Sequence, residues 1–424
     1  MAPTTRARLF RRPVACTCDQ AGPAVLNFPH IRGTTVINED HNGLDATALR
    51  RLQAAIETDV EDGRYDGANI IVSRRGEIGL QASIGWSDRK AGRTAAADDI
   101  YRIFSMTKAF TNVLALQAID RGQLALTTRV VDVIPEFYGR DRFRTARKDR
   151  VNLAHLLTHR AGLVTTPTPL PYDELGELDK VIDAICQLDV VGEPGTTLNY
   201  SPALNHALIA EMVRRATGAE SVRDLMKREI FEPLGMDSTA LGAPRKWAER
   251  YVPIRASFPD GGWLSTADVE VMEEIITGEA EMPWVGAVST VDDIHSFAEM
   301  LRRRGEFEGK RVLSPAVLNL ATTNQTGDLP NDLYRALAQA RGWDVPPGNF
   351  GLGFALSGTG THASFFGSTT SPRTHGNYGA GSTLFWVDPE RELTFACLTA
   401  GVMEESENVL RFQRLSTLAA AAAL

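Results

Sequence analysis

The sequence predicts a mixed α/β (α+β) fold: an antiparallel sheet built from both chain ends, flanked by helices, with a mainly helical domain inserted between them. Three observations predict it. Residues 68–73 and 78–86 are apolar runs around the turn Arg74-Arg75-Gly76-Glu77. Residues 383–387 and 393–398 repeat that pattern around Asp388-Pro389-Glu390-Arg391, near the other end. From Ser105 to about residue 320 the pattern is mainly helical instead.

Residues 1–43, with Pro, Gly and mixed polarity, read as an irregular N-terminal extension. The domain proper is expected over 44–424. Within it, 44–104 and about 350–424 form the sheet part, and about 105–349 the helical part. The first helix, 44–60, places Leu49, Leu52, Ile56 and Val60 on one face. A hairpin follows. No Gly or Pro lies between Tyr101 and Arg121, which predicts a helix there with Ser105 at its start. Further helical segments are expected at 151–158, 174–187, 202–217, 221–231 and 290–304. Residues 358–374, rich in Gly, Ser and Thr, read as a loop. The last helix covers 405–418, and 419–424 is expected to fray. There is no internal repeat.

Composition narrows the function. The 424 residues are 23% charged and 43% hydrophobic, an ordinary globular balance with ample core material. The net charge of -8 argues against a nucleic-acid partner. No apolar run approaches the ~20 residues of a membrane span. The basic start, ending in Arg11-Arg12, is not followed by the apolar stretch of a secretory signal. Cys16 and Cys18 are too close for an ordinary disulfide, while Cys186 and Cys397 sit in apolar runs as expected buried thiols. A reducing, cytoplasmic compartment is the expectation. No nucleic acid, membrane, cofactor or metal is expected as a partner.

Three stretches carry candidate chemistry. The first is Ser105-Met106-Thr107-Lys108. Residues three apart on a helix are neighbours, so Lys108 can reach the Ser105 hydroxyl. Desolvation on an apolar helix lowers an amine's pKa, and a neutral amine can take the seryl proton. A second such tetrad, Ser87-Asp88-Arg89-Lys90, lies among charges before Ala91-Gly92 and reads as a turn. The second stretch is 193–202, where Tyr200 precedes Ser201, an expected helix N-cap, and Pro202, suited to the first helical position. The Tyr200 phenol could relay a proton if a nearby ammonium lowers its pKa; alone it could equally just cover the helix start. The third is Thr374-His375-Gly376-Asn377-Tyr378-Gly379-Ala380-Gly381-Ser382. Its small residues admit a ligand close to the backbone, and a strand-edge N–H there could join the Ser105 N–H as an oxyanion hole.

In this order, S-x-x-K, then Y-S, then H-G-x before a terminal hairpin, the chain resembles the serine β-lactamase-like superfamily. That group includes class C β-lactamases, penicillin-binding proteins and family VIII carboxylesterases. His155-Leu156-Leu157-Thr158-His159-Arg160-Ala161-Gly162-Leu163 is similar to the family phrase HLLTHTSGL. Phe231-Glu232-Pro233-Leu234-Gly235-Met236, residues 286–293 and Phe350-Gly351-Leu352-Gly353 resemble family phrases too. The likeness runs from about Leu44 to Leu418. It implies a β-lactamase/transpeptidase-like fold, Ser105 as nucleophile, Lys108 and Tyr200 as proton carriers, and Tyr378 as the backbone oxyanion donor. His375, Gly376 and Asn377 would flank the substrate. Two departures matter. Pro202 stands where the β-lactamase branch has Asn, and Asn377 where the third motif usually ends in Gly. The pattern is closer to family VIII carboxylesterases and to lovastatin-side-chain-type acyltransferases.

The expected function is therefore a serine hydrolase forming an acyl-enzyme on Ser105, acting as a carboxylesterase on small to medium acyl esters. An acyltransferase on a secondary metabolite is the first alternative, and a β-lactamase or D-amino peptidase the second. A catalytically inactive penicillin-binding-like protein is set against retention of Ser105, Lys108 and Tyr200. Tyr172, Trp263, Trp284 and the loop before His375 are expected to line the pocket. His155 and His159 have the spacing of two zinc ligands on a helix, but no Glu lies between them and no third ligand is evident. A structural role is expected for both.

Overall fold

A computed structural model describes residues 34–38, 43–139, 147–165, 168–259 and 265–424. Cys16, Cys18, Trp263 and residues 1–33 of the expected extension lie outside the described residues. The described strands of the main sheet are β1 (Thr35–Ile37), β2 (Gly67–Arg74), β3 (Glu77–Asp88), β4 (Arg93–Thr94), β5 (Ala355–Leu356), β6 (His375–Gly379), β7 (Thr383–Asp388) and β8 (Leu393–Ala400). Their spatial order is β1-β3-β2-β8-β7-β6-β5, all antiparallel, with β4 paired to β3. The two predicted hairpins meet at the centre, where β8 pairs with β2 along eight residues from Ala400↔Gly67 to Leu393↔Arg74. β1 corrects the expected boundary: Thr35, inside the supposed irregular extension, is already part of the sheet.

The strands read as nearly continuous apolar runs because both sheet faces are covered. Ile70, Val72, Leu384, Trp386, Phe395 and Cys397 join the core under α1 (Ala46–Glu61) and the C-terminal helix Glu405–Ala420. Their neighbours Ile71, Phe385, Val387, Ala396 and Leu398 face the larger core on the other side. That larger core includes Ile294, Phe297 and Leu301 of the helix Val291–Arg302. This helix was expected in the helical insert; it packs on the sheet because its apolar stripe meets β2, β7 and β8. The β2–β3 turn works because Arg75 and Gly76 both take positive φ, 56° and 87°, which a tight two-residue hairpin requires.

Other expectations shift at their edges. Tyr101–Arg102 is a short strand paired with Ala287–Ser289, so the helix begins later, as α2 (Thr107–Asp120). The 202–217 segment is helical only from Leu204 to Thr217, with Ala203 at the cap; Ser201 Oγ instead accepts from the Asn205 N–H at 3.3 Å. Ser87 sits in β3 rather than in a turn, its hydroxyl donating to the Thr94 carbonyl at 3.0 Å. The C-terminus does not fray: the Leu424 N–H donates to the Gly43 carbonyl at 2.8 Å, and Arg74 Nη1 to the Leu424 carbonyl at 2.8 Å. Cys186 and Cys397 are buried free thiols. No helix among the described residues is long and apolar enough to cross a membrane.

Candidate active site

Ser105 is the middle residue of a 3-10 turn, Phe104–Met106, that runs straight into α2. First-turn N–H groups have no helical acceptor, so the turn aims the Ser105 backbone donor outward. Phe104, just before it, is held at φ 49°, a conformation costly for a bulky residue. What holds it is the third predicted stretch. A Cβ on Gly381 would lie 2.3 Å from Phe104 Cδ2, and one on Gly379 would lie 2.3 Å from the Ile103 carbonyl oxygen. Thr383 Oγ1 donates to that same oxygen at 3.0 Å. These glycines are therefore what let the β6–β7 edge seat against the Ser105 turn.

Lys108 Nζ lies 2.9 Å from Ser105 Oγ and donates to the Trp284 carbonyl, also at 2.9 Å. The lysine is 1% exposed, and burial alone brings its pKa down from 10.5 to about 7. Burial thus brings the neutral amine, which can accept a proton, within reach near neutrality. Trp284 thus contributes a backbone oxygen rather than an aromatic pocket wall; its ring is buried in the core. The segment carrying it is fastened to α2, since the Ala287 N–H donates to Thr107 Oγ1 and Thr111 Oγ1 donates to the Pro283 carbonyl.

The Tyr200 ring lies 5.3 Å from Lys108 Nζ, and its phenol shares a hydrogen bond with Ser105. Burial pushes that phenol well above its ordinary pKa, against the opposing Ser105 bond. No depressed phenol results: at neutral pH Tyr200 is a proton donor. Its ring is stacked on His159, centroids 4.4 Å apart. His159 follows the short helix Leu153–Leu157 in left-handed backbone geometry, φ 54°. Its Nδ1 accepts from the Ser201 N–H at 3.0 Å, which fixes the chain beside Tyr200. Burial, then Lys108, lowers its pKa to about 3, so it is a neutral ring. His155 and His159 do not share a helix, and no group of three or more metal-ligating side chains occurs among the described residues.

Which backbone N–H groups stay open near Ser105 is set by sheet register. The Ser357 N–H donates to the Thr374 carbonyl at 2.8 Å, so Thr374 turns its backbone to the outer edge. Alternate residues of a strand face the same way, which puts the Gly376 and Tyr378 N–H groups on that edge. β5 begins at Ala355, opposite Gly376, and does not cover Tyr378.

Ser105 and Tyr200 open onto a cavity of about 240 Å³ whose walls include Leu337, Trp343, Phe350 and Phe365. Of the residues expected there, Ser105, Asn377 and Tyr378 line it, as does part of the loop before His375, from His362 to Phe366. His375 does not: it is buried, with Nδ1 on the Arg373 carbonyl at 3.0 Å, and burial lowers its pKa to about 4. Gly376 is taken up in sheet packing, where a Cβ would collide with the Phe385 carbonyl. Tyr172 is not a lining residue either; its hydroxyl donates to Asp268 at 2.9 Å. Pro202, in the place of the usual Asn, does face the cavity. The sequence had not marked His159 as a support for Tyr200, nor the aromatic walls. The Trp343 to Phe350 run, aromatic and proline-rich after a helix, was the available signal for the walls.

Comparison with known proteins bears on the family and the fold. The Beta-lactamase family model matches residues 52–419. Esterase EstB of Burkholderia gladioli is 33% identical over 207 residues, covering 46% of this chain and 52% of that esterase, so the chain spans about half of its length. A penicillin-binding protein homolog from Caulobacter crescentus superposes with a TM-score of 0.73 at 22% identity, over 90% of this chain and 99% of that one. A family VIII carboxylesterase superposes with a TM-score of 0.70 at 20% identity, over 88% and 98%. At such identities the superpositions show a shared fold, and with the family model spanning most of the sequence this chain belongs to the Beta-lactamase family.

Proposed function

We propose that this protein is a carboxylesterase that hydrolyses small to medium acyl esters through an acyl-enzyme on Ser105. The observation that carries the proposal is the 2.9 Å contact between Ser105 Oγ and a fully buried lysine, whose pKa burial lowers, beside an apolar cavity. In the proposed mechanism Lys108 takes the Ser105 proton as the Oγ–acyl bond forms. The developing oxyanion is met by the N–H groups of Ser105 and Tyr378. Tyr200 gives its proton to the leaving alkoxide and regains one from the Lys108 ammonium. Water then attacks the acyl-enzyme, its proton passing to the same pair, and the acid leaves with Ser105 restored. Pro202 favours esters over amides, because it offers no side-chain hydrogen bond to an amide at the cavity wall. The proposed setting is cytoplasmic, consistent with two buried free thiols, and the proposed partner is a small-molecule ester.

A panel of p-nitrophenyl esters of rising chain length, a chromogenic cephalosporin and a D-alanyl amide, run with and without an alcohol acceptor, tests this. Ester hydrolysis indifferent to the acceptor is the expected result. Acceptor-dependent formation of a new ester would establish the acyltransferase instead, and cephalosporin or amide cleavage outpacing every ester would overturn both.

A further inference from the structure

The cavity is lined by a carboxyl side chain that the proposed acyl chemistry does not use. Glu405, at the start of the C-terminal helix, lines the wall shared with Val409 and Phe365. Its carboxyl accepts from two phenols: Tyr334 donates to Oε1 at 3.0 Å, and Tyr378 donates to Oε2 at 2.7 Å. A carboxylate has about four acceptor positions, so each oxygen retains one for a further donor. Glu405 is packed by protein but keeps part of its surface open toward the cavity.

No cation among the described residues is paired with it. The neighbouring Glu404 has Arg341 at 3.6 Å, and Arg414 and Arg64 are on Asp59 instead. The ionisable groups around Glu405 are Tyr334, Tyr378, Tyr200 and Glu404. Burial pushes the carboxyl up to about 7, opposed by the two phenol bonds, with Glu404 adding to the rise. A buried carboxylate without a counter-charge is costly, and binding two phenols could be done by a neutral amide. The aromatic surroundings complete the pattern. Phe365 stacks on Tyr378 at 4.0 Å and meets Tyr334 edge-on at 6.3 Å, so ring faces that attract cations border the carboxyl.

We propose that Glu405 is a specificity-determining residue of this pocket, selecting acyl esters whose acyl chain ends in a cationic amine. The amine supplies the missing counter-charge and donors for the free acceptor positions, while its methylene chain lies along the apolar walls. This rests on the carboxylesterase proposal for the ester chemistry, but the amine selection can be measured without turnover.

The kinetic test compares p-nitrophenyl 6-aminohexanoate with its isostere p-nitrophenyl heptanoate. The ratio of kcat/KM, amino over alkyl, is expected to favour the amine by roughly ten- to a hundredfold and to fall to about one in Glu405→Gln. The ratio should also grow from pH 6 to pH 8 as Glu405 ionises. Lys108 also loses its charge over this range and repels the amine alone, so the same pH series on Glu405→Gln isolates the part that belongs to Glu405. In parallel, isothermal titration of the Ser105→Ala protein with 4-phenylbutylamine and 4-phenylbutanol should show tighter binding of the amine, lost on adding Glu405→Gln. If neither ester is turned over but the amine preference is present and needs Glu405, the esterase proposal falls and the amine site stands. Equal binding of amine and alcohol, or a preference that survives Glu405→Gln, overturns the inference. Should Glu405→Gln fail to fold, Glu405→Ala takes its place: loss of the amine preference supports the site and its survival refutes it.

Discussion

Lys108→Met should make the protein more stable while removing its activity, and the gain should depend on pH. Lys108 is buried and its pKa falls from 10.5 to about 7 on folding. For a base, a lowered folded pKa means that the unfolded chain binds the extra proton, so folding is penalised at low pH. The penalty is full below about pH 7 and fades as pH rises toward the unfolded value. With those two pKa values the linkage relation gives a penalty of about 5 kcal/mol at pH 6 and about 2 kcal/mol at pH 9. Methionine has a similar length and no charge. It forfeits the bonds to Ser105 Oγ and the Trp284 carbonyl, on the order of 1 kcal/mol each, at both pH values. That loss cancels in the comparison. Urea unfolding of wild type and Lys108→Met should therefore show the variant's advantage shrinking by about 2.5 kcal/mol between pH 6 and pH 9. Ester turnover should fall by roughly 10²–10⁴-fold at both. An advantage that does not change with pH would mean that Lys108 does not carry a depressed pKa, and the proposed acylation base would be lost with it.

Other outcomes follow from the same geometry. The pH profile of kcat/KM should rise with a midpoint near 7 as Lys108 loses its proton, with no descending limb below pH 10, because burial raises the Tyr200 phenol. Tyr200→Phe should lower the plateau by roughly 10²–10⁴-fold without moving that midpoint, and a shifted midpoint would assign the titration to the wrong group. Gly381→Ala sets a Cβ against the Phe104 ring, so stability should drop by about 1–3 kcal/mol and kcat with it, read from thermal melts and initial rates. His159→Ala leaves the Ser201 N–H without its acceptor and Tyr200 without its stacking partner; a cost of about 1–3 kcal/mol and a lower kcat are expected, whereas unchanged kcat would remove His159 as a positioning residue.

The sequence by itself determined the parts whose physics is local. Apolar runs and turn residues located β2–β3 and β7–β8, and the stripe of Leu49, Leu52, Ile56 and Val60 located α1. The i to i+3 spacing placed Lys108 within reach of Ser105, because helical geometry alone sets that distance. Only the tertiary structure decided what depends on segments far apart in the chain. The Lys108 pKa is lowered by burial among distant segments, and the oxygen it bonds is the Trp284 carbonyl, 176 residues away. Spacing could not reveal that β5 pairs with Gly376 but leaves Tyr378 uncovered, since that rests on where β5 begins against β6. Nor could it reveal Glu405, which reads as an ordinary first-turn acid of a helix until Tyr334 and Tyr378 bond its carboxyl in the wall of the cavity that Ser105 also lines.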